Sequence, residues 1–185
     1  MIPTATPRLS RDDLTLRLSD AGHTLKLMRH PLYLVGVRGY YRDSMGAVGR
    51  NDTGIYDDAI FVVSPNAFAS FNANTDPSVT RPRMATLTPG LWLAHKIGLH
   101  KSYRALSQQM GEVIVSRAGA GLDTGYFGIN IHRGSERSTS SEGCQTIPPK
   151  QWEGFIALVE AEARRLHGLK WNSTVIPYAL MQEPS

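Results

Sequence analysis

Residues 126–155 read YFGINIHRGSERSTSSEGCQTIPPKQWEGF, and this stretch decides the fold that we expect. An alternating apolar segment leads to His132, and a polar loop then runs to Cys144, the only cysteine of the chain. Two prolines follow at 148 and 149, in the position where a helix tolerates proline, and apolar residues then recur at helical spacing. The stretch predicts a strand over 126–131, a loop between a histidine and a cysteine, and a packing helix.

Short apolar runs bounded by Gly, Pro and Asn indicate further strands upstream of this stretch. We expect them at 32–37, 59–64, 68–71, 84–94 and 112–116. A capped amphipathic segment predicts a helix over 10–29, ended by Pro31. Together these elements predict a mostly β, α+β fold, with a sandwich or barrel-like core, an N-terminal helix and a helix after the cysteine.

The length of 185 residues suits one domain with a sizeable core. We divide it into an N-terminal helical segment (1–31), a β-rich core (32–147), a packing helix (148–168) and a tail (169–185). With 41% hydrophobic and 19% charged residues, the chain is globular rather than disordered.

The net charge of +4 favours anionic partners, but no block of Lys and Arg points to nucleic acid. No apolar stretch approaches the ~20 residues of a membrane span, and residues 1–10 contain no apolar signal core. We therefore expect synthesis as a soluble cytosolic protein, with no integral membrane segment and no nucleic-acid partner. The oligomeric state stays open.

A single cysteine excludes an internal disulfide and a thiolate zinc site, and we expect no metal or other cofactor. One interpretation of Cys144 is a small buried apolar residue. Its neighbours Ser, Glu, Gly and Gln make a poor setting for a core position, which favours a reactive thiol. Such a thiol needs a base to ionise near neutral pH, and His132 is the nearest candidate in sequence.

Acyl transfer at an amide carbonyl requires a nucleophile, a base and donors for the developing oxyanion. We assign Cys144 as the nucleophile, His132 as the base, and the amides of Gly143 and Cys144 as oxyanion donors. Ser141 is expected to brace the loop through a bond from its side chain to the backbone. Arg133 and Arg137 are candidates for holding a substrate carboxylate, with solvated loop charges as the alternative.

The pattern His132-Arg133-Gly134, a polar loop, and Ser141-Glu142-Gly143-Cys144 resembles the catalytic signature of L,D-transpeptidases. Residues 88–92, TPGLW, are similar to a motif found upstream in that family. The resemblance implies an acyl-transfer enzyme that acts on peptidoglycan stem peptides. In the family the thiolate forms an acyl-enzyme, which passes to an amine (transpeptidation) or to water (hydrolysis). It also implies that Cys144 is the nucleophile and His132 the base.

By the same resemblance, Gly134, Ser141 and Gly143 match family motif positions, Gly134 displaced by one residue. Glu142 stands where the family has a histidine. Thr146 stands where it has an arginine, so Arg133 or Arg137 is a candidate replacement. The expected substrate-binding set comprises Arg133, Gly134, Arg137, Thr146 and the aromatic Tyr126.

A wall enzyme made in the cytosol would reach the periplasm after release or delivery, as a phage lytic enzyme (endolysin) or a delivered toxin does. A non-catalytic wall-binding or phage structural module is the main alternative, and a cysteine peptidase of another family is a third. Two Asp-Thr-Gly tripeptides, at 52–54 and 123–125, match the aspartic-protease motif but also suit turns. His95 and His100 are expected at the surface, with one of them possible at the cleft.

Overall fold

The computed structural model describes residues 2–183, and in them a mostly β, α+β fold, as predicted. The helices are α1 (Arg11–Asp20) and α2 (Pro149–His167), with a 3-10 helix at Gly168–Lys170. The strands are β1 (Tyr33–Arg38), β2 (Asp58–Val63), β3 (Phe68–Ala73), β4 (Ala85–Leu87), β5 (Gly90–His100), β6 (Tyr103–Gln108), β7 (Val113–Arg117), β8 (Gly121–Gly125), β9 (Ile131–Arg133), β10 (Gln145–Ile147) and β11 (Ile176–Gln182).

Eight strands form one sheet in the order β10-β9-β6-β5-β11-β1-β2-β3. Its pairs are antiparallel except β1 with β11 and β9 with β10. The two ends of the sheet meet where Asn74, directly after β3, pairs with Thr146 of β10 through backbone hydrogen bonds of 2.9 and 2.8 Å. The sheet is therefore nearly closed into a barrel, and its seam lies two residues from Cys144. A second sheet has the order β4-β7-β8.

Apolar side chains fill two regions, one on each face of the large sheet. The inner region contains Leu34, Ile60 and Tyr178, and α2 packs against it. The outer region lies on β1, β2 and β11 and is covered by Leu14 and Leu18 of α1. Burial of both faces explains why β1 and β2 are continuous apolar runs instead of alternating ones.

The predicted helix after the cysteine is confirmed in its start, its end and its buried face. Pro149 opens α2 and Gly168, at φ 53°, caps it. Trp152, Phe155 and Val159 are buried on one stripe, as the spacing predicts. No helix within residues 2–183 has the length and apolar character needed to cross a bilayer.

Other boundaries differ from the sequence prediction. The helix expected over 10–29 ends at Asp20, because the chain turns at Gly22 with φ 78°. The strand expected over 126–131 begins only at Ile131, since Gly128 takes φ 70°, outside the range of a strand. The tail expected over 169–185 contains β11, a buried strand between β5 and β1. Its six buried residues show no alternation, which hid it from a search for period two.

Candidate active site

Cys144 lies on the border between two adjoining hollows in the surface. The serine hollow, of about 550 Å³, contains Ser78, Ser138, Ser140 and Ser141 in its wall, together with His132. The arginine hollow, of about 570 Å³, contains Arg83, Arg117 and Phe127. Five residues line both hollows: Arg81, Met84, His100, Glu142 and Cys144. The two hollows form a single groove with the thiol near its middle.

Strand pairing brings the predicted nucleophile and base to the same edge of the barrel. β10 runs parallel to β9, with Thr146 opposite His132, and Gln145 donates its N–H to Asn130 O at 2.9 Å. Cys144 therefore enters β10 directly beside the start of β9. The loop over 134–143 connects β9 to the cysteine at the start of β10, as the sequence predicts.

His132 is 4% exposed and is held through its Nδ1 atom. This nitrogen lies 2.8 Å from Arg133 O and 3.3 Å from the hydroxyl of Tyr103. A carbonyl oxygen only accepts hydrogen bonds, so Nδ1 carries the proton and Nε2 keeps its lone pair. Burial lowers the pKa of His132 to about 4, so the ring is neutral at pH 7.

The Cys144 thiol is half-buried and donates to Gly128 O at 3.3 Å. Burial raises its pKa and the nearby Glu142 carboxylate adds to this, whereas the Asn130 N–H lowers it. Within residues 2–183 no direct hydrogen bond joins Cys144 to His132. The resting site therefore holds a neutral thiol and a neutral imidazole, not an ion pair.

Ser141 braces the turn before the cysteine, as expected. Its hydroxyl donates to Cys144 O at 2.7 Å and accepts from the N–H of Gly143 at 3.0 Å. Ser78, from the loop after β3, also holds the turn through two hydrogen bonds to Ser141. The Oγ of Ser78 accepts from the N–H of Ser141 at 2.7 Å, and the N–H of Ser78 donates to the carbonyl oxygen of Ser141 at 2.8 Å. The backbone that carries the thiol is thus fixed from two sides.

Gly143 allows the turn before Cys144 to take a conformation that only glycine adopts easily. Its N–H, which the sequence analysis expects to donate to an oxyanion, already has a partner. That N–H is occupied by Ser141 Oγ. Its φ is 130°, and a Cβ added there would lie 2.5 Å from Ala85 O, so only glycine fits. The N–H of Cys144 has no partner within residues 2–183 and remains the available oxyanion donor.

Two predicted substrate-binding residues lie away from the groove. Thr146 is fully buried at the barrel seam, because β10 closes onto Asn74, and a substrate does not reach it. Gly134 backs onto Tyr56, whose hydroxyl would lie against a Cβ at this position, so the glycine makes room for packing. The burial of Thr146 contradicts its expected contact with substrate, whereas contact of substrate with the half-buried Gly134 stays a prediction.

The remaining three substrate-binding candidates are exposed but do not line either hollow. Arg133 lies over the ring of Tyr103, 5.1 Å from its centre. Arg137 is in the loop over 134–143, and Tyr126, 61% exposed, precedes the groove residue Phe127. The cationic groove residues that sequence reasoning missed are Arg81, Arg83, Lys101 and Arg117.

His100, which the sequence analysis expects at the surface or at the cleft, is a groove residue. His100 ends β5, and its Nδ1 lies 3.2 Å from Asn130 Nδ2. The expected surface position of His95 is wrong: it is fully buried, with Nε2 2.8 Å from Ile129 O. The two Asp-Thr-Gly carboxylates are engaged separately, Asp52 with the N–H of Ala47 and Asp123 with Arg117.

Comparison with known proteins finds no matching protein family, no matching curated protein and no matching solved structure. In the part of the chain between residues 2 and 183, no group of three or more His, Cys, Asp or Glu side chains is placed to hold a metal ion.

Proposed function

We propose that this protein is a cysteine acyl-transfer enzyme of the L,D-transpeptidase type that acts on peptidoglycan stem peptides, by transpeptidation or by hydrolysis. The observation that carries the proposal is the position of Cys144, at the middle of a groove that His132 also lines. The ring of His132 is neutral, and its Nε2 has no hydrogen-bond partner within residues 2–183. A nucleophile at the middle of a groove addresses a bond inside an extended chain, with substrate on both sides of it.

The reaction follows from the protonation states of the two side chains. The sulfur attacks a peptide carbonyl, and the S–H proton passes to His132 Nε2, after the thiol turns from Gly128 O towards the imidazole. The Cys144 N–H donates to the developing oxyanion. The C–N bond then breaks, the leaving amine takes the proton from His132, and a thioester remains. An incoming amine or water attacks the thioester, gives up its proton to His132 and regenerates the thiol.

Several features support a base rather than a spectator histidine. Burial and the Nδ1 bond to Arg133 O fix the ring in one tautomer, which removes the need for reorientation during the reaction. In the free protein the proton stays on the sulfur, because burial lowers the pKa of His132 and raises that of Cys144, so the proposal places thiolate formation after substrate binding. The site of action in the cell wall, after release or delivery from the cytosol, is part of this proposal.

Muropeptide analysis tests the proposal. Purified sacculi are incubated with the wild-type protein, with Cys144→Ala and with His132→Gln, and the released and remaining peptides are identified by mass spectrometry. We expect new cross-links or shortened stems with the wild type only. Unchanged muropeptides in all three samples would contradict the proposal.

A non-catalytic wall-binding module is the second candidate, favoured by the hydrogen bond of the thiol to Gly128 O and by its raised pKa. In that case sacculi would retain the wild type and Cys144→Ala equally, without any chemical change. Co-sedimentation with sacculi, measured beside the muropeptides, distinguishes binding from turnover.

A further inference from the structure

Glu142 is the acidic residue of the groove and lies two positions from the thiol. It borders both hollows together with Cys144. Its neighbours Ser141 and Gly143 are buried, so Glu142 is the exposed point of the turn. The other ionisable groups that line the groove are Arg81, Arg83, His100, Lys101, Arg117 and His132.

The backbone around Glu142 is fixed before any ligand arrives. Ser78 holds the residue before it through two hydrogen bonds, and Ser141 Oγ accepts from the N–H of the residue after it. A carboxylate on a rigid turn loses little freedom when it binds a ligand, which favours recognition over a merely solvated charge.

Among the described residues this carboxylate has no partner. Within residues 2–183 Glu142 makes no hydrogen bond and no ion pair, although the groove contains several cationic side chains. Its charge also acts against the thiolate of Cys144. An unpaired negative charge beside a sulfur that must become negative opposes the reaction unless something neutralises it.

We propose that Glu142 binds a primary ammonium group of the substrate next to the carbonyl that Cys144 attacks. This inference rests on the proposed acyl transfer and names a chemical feature of its substrate. The ammonium has two possible sources, a side chain of the acyl donor or the amine of the acyl acceptor. In either case a positive charge on Glu142 removes its repulsion of the forming thiolate, so the correct substrate assists the activation of its own nucleophile.

The experiment compares two synthetic stem tetrapeptides, one with a free side-chain amine and one with that amine acetylated. Thioester formation in a single turnover is followed by intact-protein mass for the wild type, Glu142→Gln and Glu136→Gln. Glu136 is the matched control, since it is exposed on the same loop but does not line the groove. Thermal unfolding checks that all three proteins are folded.

We expect the wild type and Glu136→Gln to form the thioester about tenfold faster with the free amine, the effect of one charge-assisted bond. In Glu142→Gln the two rates should be equal. In a second arm, free amine acceptor is added to the preformed acyl-enzyme. If the ammonium comes from the acceptor, Glu142→Gln shifts the outcome towards hydrolysis and leaves the donor rates unchanged.

Two results would overturn the inference. If Glu142→Gln discriminates between the peptides as the wild type does and partitions the acyl group identically, Glu142 does not recognise an amine, while the proposed function stands. If no protein forms a thioester, the proposed function fails, and calorimetry of the two peptides with Cys144→Ala decides the inference by itself. Equal or absent binding of both peptides there would overturn it too.

Discussion

The imidazole rings of His100 and His132 lie stacked, with their centres 4.0 Å apart and their planes inclined by 4°. His100 covers one face of His132, while Asn130 anchors His100 from the strand side through a 3.2 Å contact. The stack excludes water from the predicted base, and burial is the main reason that the pKa of His132 falls to about 4.

Removal of the His100 ring should therefore change the pH dependence of the proposed reaction. A base works above its own pKa, so the acidic limb of the wild-type pH–rate profile should lie near pH 4. In His100→Ala, water reaches His132, its pKa rises, and the limb moves towards pH 6.5. His100→Phe keeps a flat ring on His132 and serves as the control, with a limb close to that of the wild type. Identical limbs in His100→Ala and the wild type would contradict this role of the stack.

Alkylation of Cys144 should be slow at neutral pH in the free protein. Burial and Glu142 raise the pKa of the thiol above its ordinary value of 9.0, so the thiolate fraction stays small. The rate of reaction with iodoacetamide is expected to rise with pH to a midpoint above 9.0, and Glu142→Gln should shift this midpoint downward. A midpoint below 8 in the wild type would instead indicate a preformed ion pair with His132.

Substitution of Gly143 should damage both stability and activity. Gly143→Ala forces a side chain into a left-handed backbone and against Ala85 O, at an expected cost of about 2 kcal/mol or more. Gly154→Ala is the matched control, because this position in α2 has nothing within 4 Å of an added Cβ and should gain about 0.5–1 kcal/mol. Urea unfolding measures both. Equal stability changes for the two variants would exclude the proposed constraint.

Ser78 is expected to act as a positioning residue for the cysteine turn. Ser78→Ala removes the acceptor of Ser141 N–H, a loss of about 1 kcal/mol in stability, and should slow acylation about tenfold by loosening the turn. Ser70→Ala loses a comparable side-chain bond, to Pro7 O, on a part of β3 outside the groove. Equal acylation rates in the two variants, at matched stability, would mean that Ser78 is not needed to position the cysteine turn.

Buried His95 should make the fold sensitive to acid. Burial lowers its pKa to about 4, so between pH 6.5 and 4 the unfolded chain binds a proton that the native state does not. Stability from this group therefore falls as the pH falls through that window, by up to about 3 kcal/mol. Asp57 acts in the opposite direction, because burial raises its pKa to about 6. The unfolding free energy of His95→Gln minus that of the wild type isolates the contribution of the histidine. This difference should become more positive from pH 7 to pH 4, because only the wild type loses the stability that depends on His95. A pH-independent difference would contradict the assignment.

The sequence predicts the parts of this molecule that depend on local signals. Paired prolines, an apolar stripe and a terminal glycine define α2, and β-branched runs define β2 and β7 within one residue. β11 was missed because a strand buried on both faces lacks alternation and lies in a segment with a proline.

The sequence predicts the site residues that lie close together in the chain and does not predict those that distant segments bring to the groove. His132, Ser141 and Cys144 lie within 13 residues, so a short loop is enough to gather them. Arg81 and His100 reach the groove from the loop before β4 and the end of β5, and only the pairing of distant strands places them there. Thr146 is expected at the substrate only from its position in the family motif, and the closure of the barrel at Asn74, which buries it, is a long-range contact that the motif does not reveal.

The most direct measurement of the central claim is the intact mass of the protein after it is mixed with isolated stem peptides and quenched in acid. We expect an added acyl mass on the wild-type protein, located on Cys144 by peptide mapping and lost on treatment with hydroxylamine, with no adduct on Cys144→Ala. An unmodified wild-type protein across pH 5 to 9, under conditions where the peptides are shown to bind, would contradict acyl transfer through this thiol.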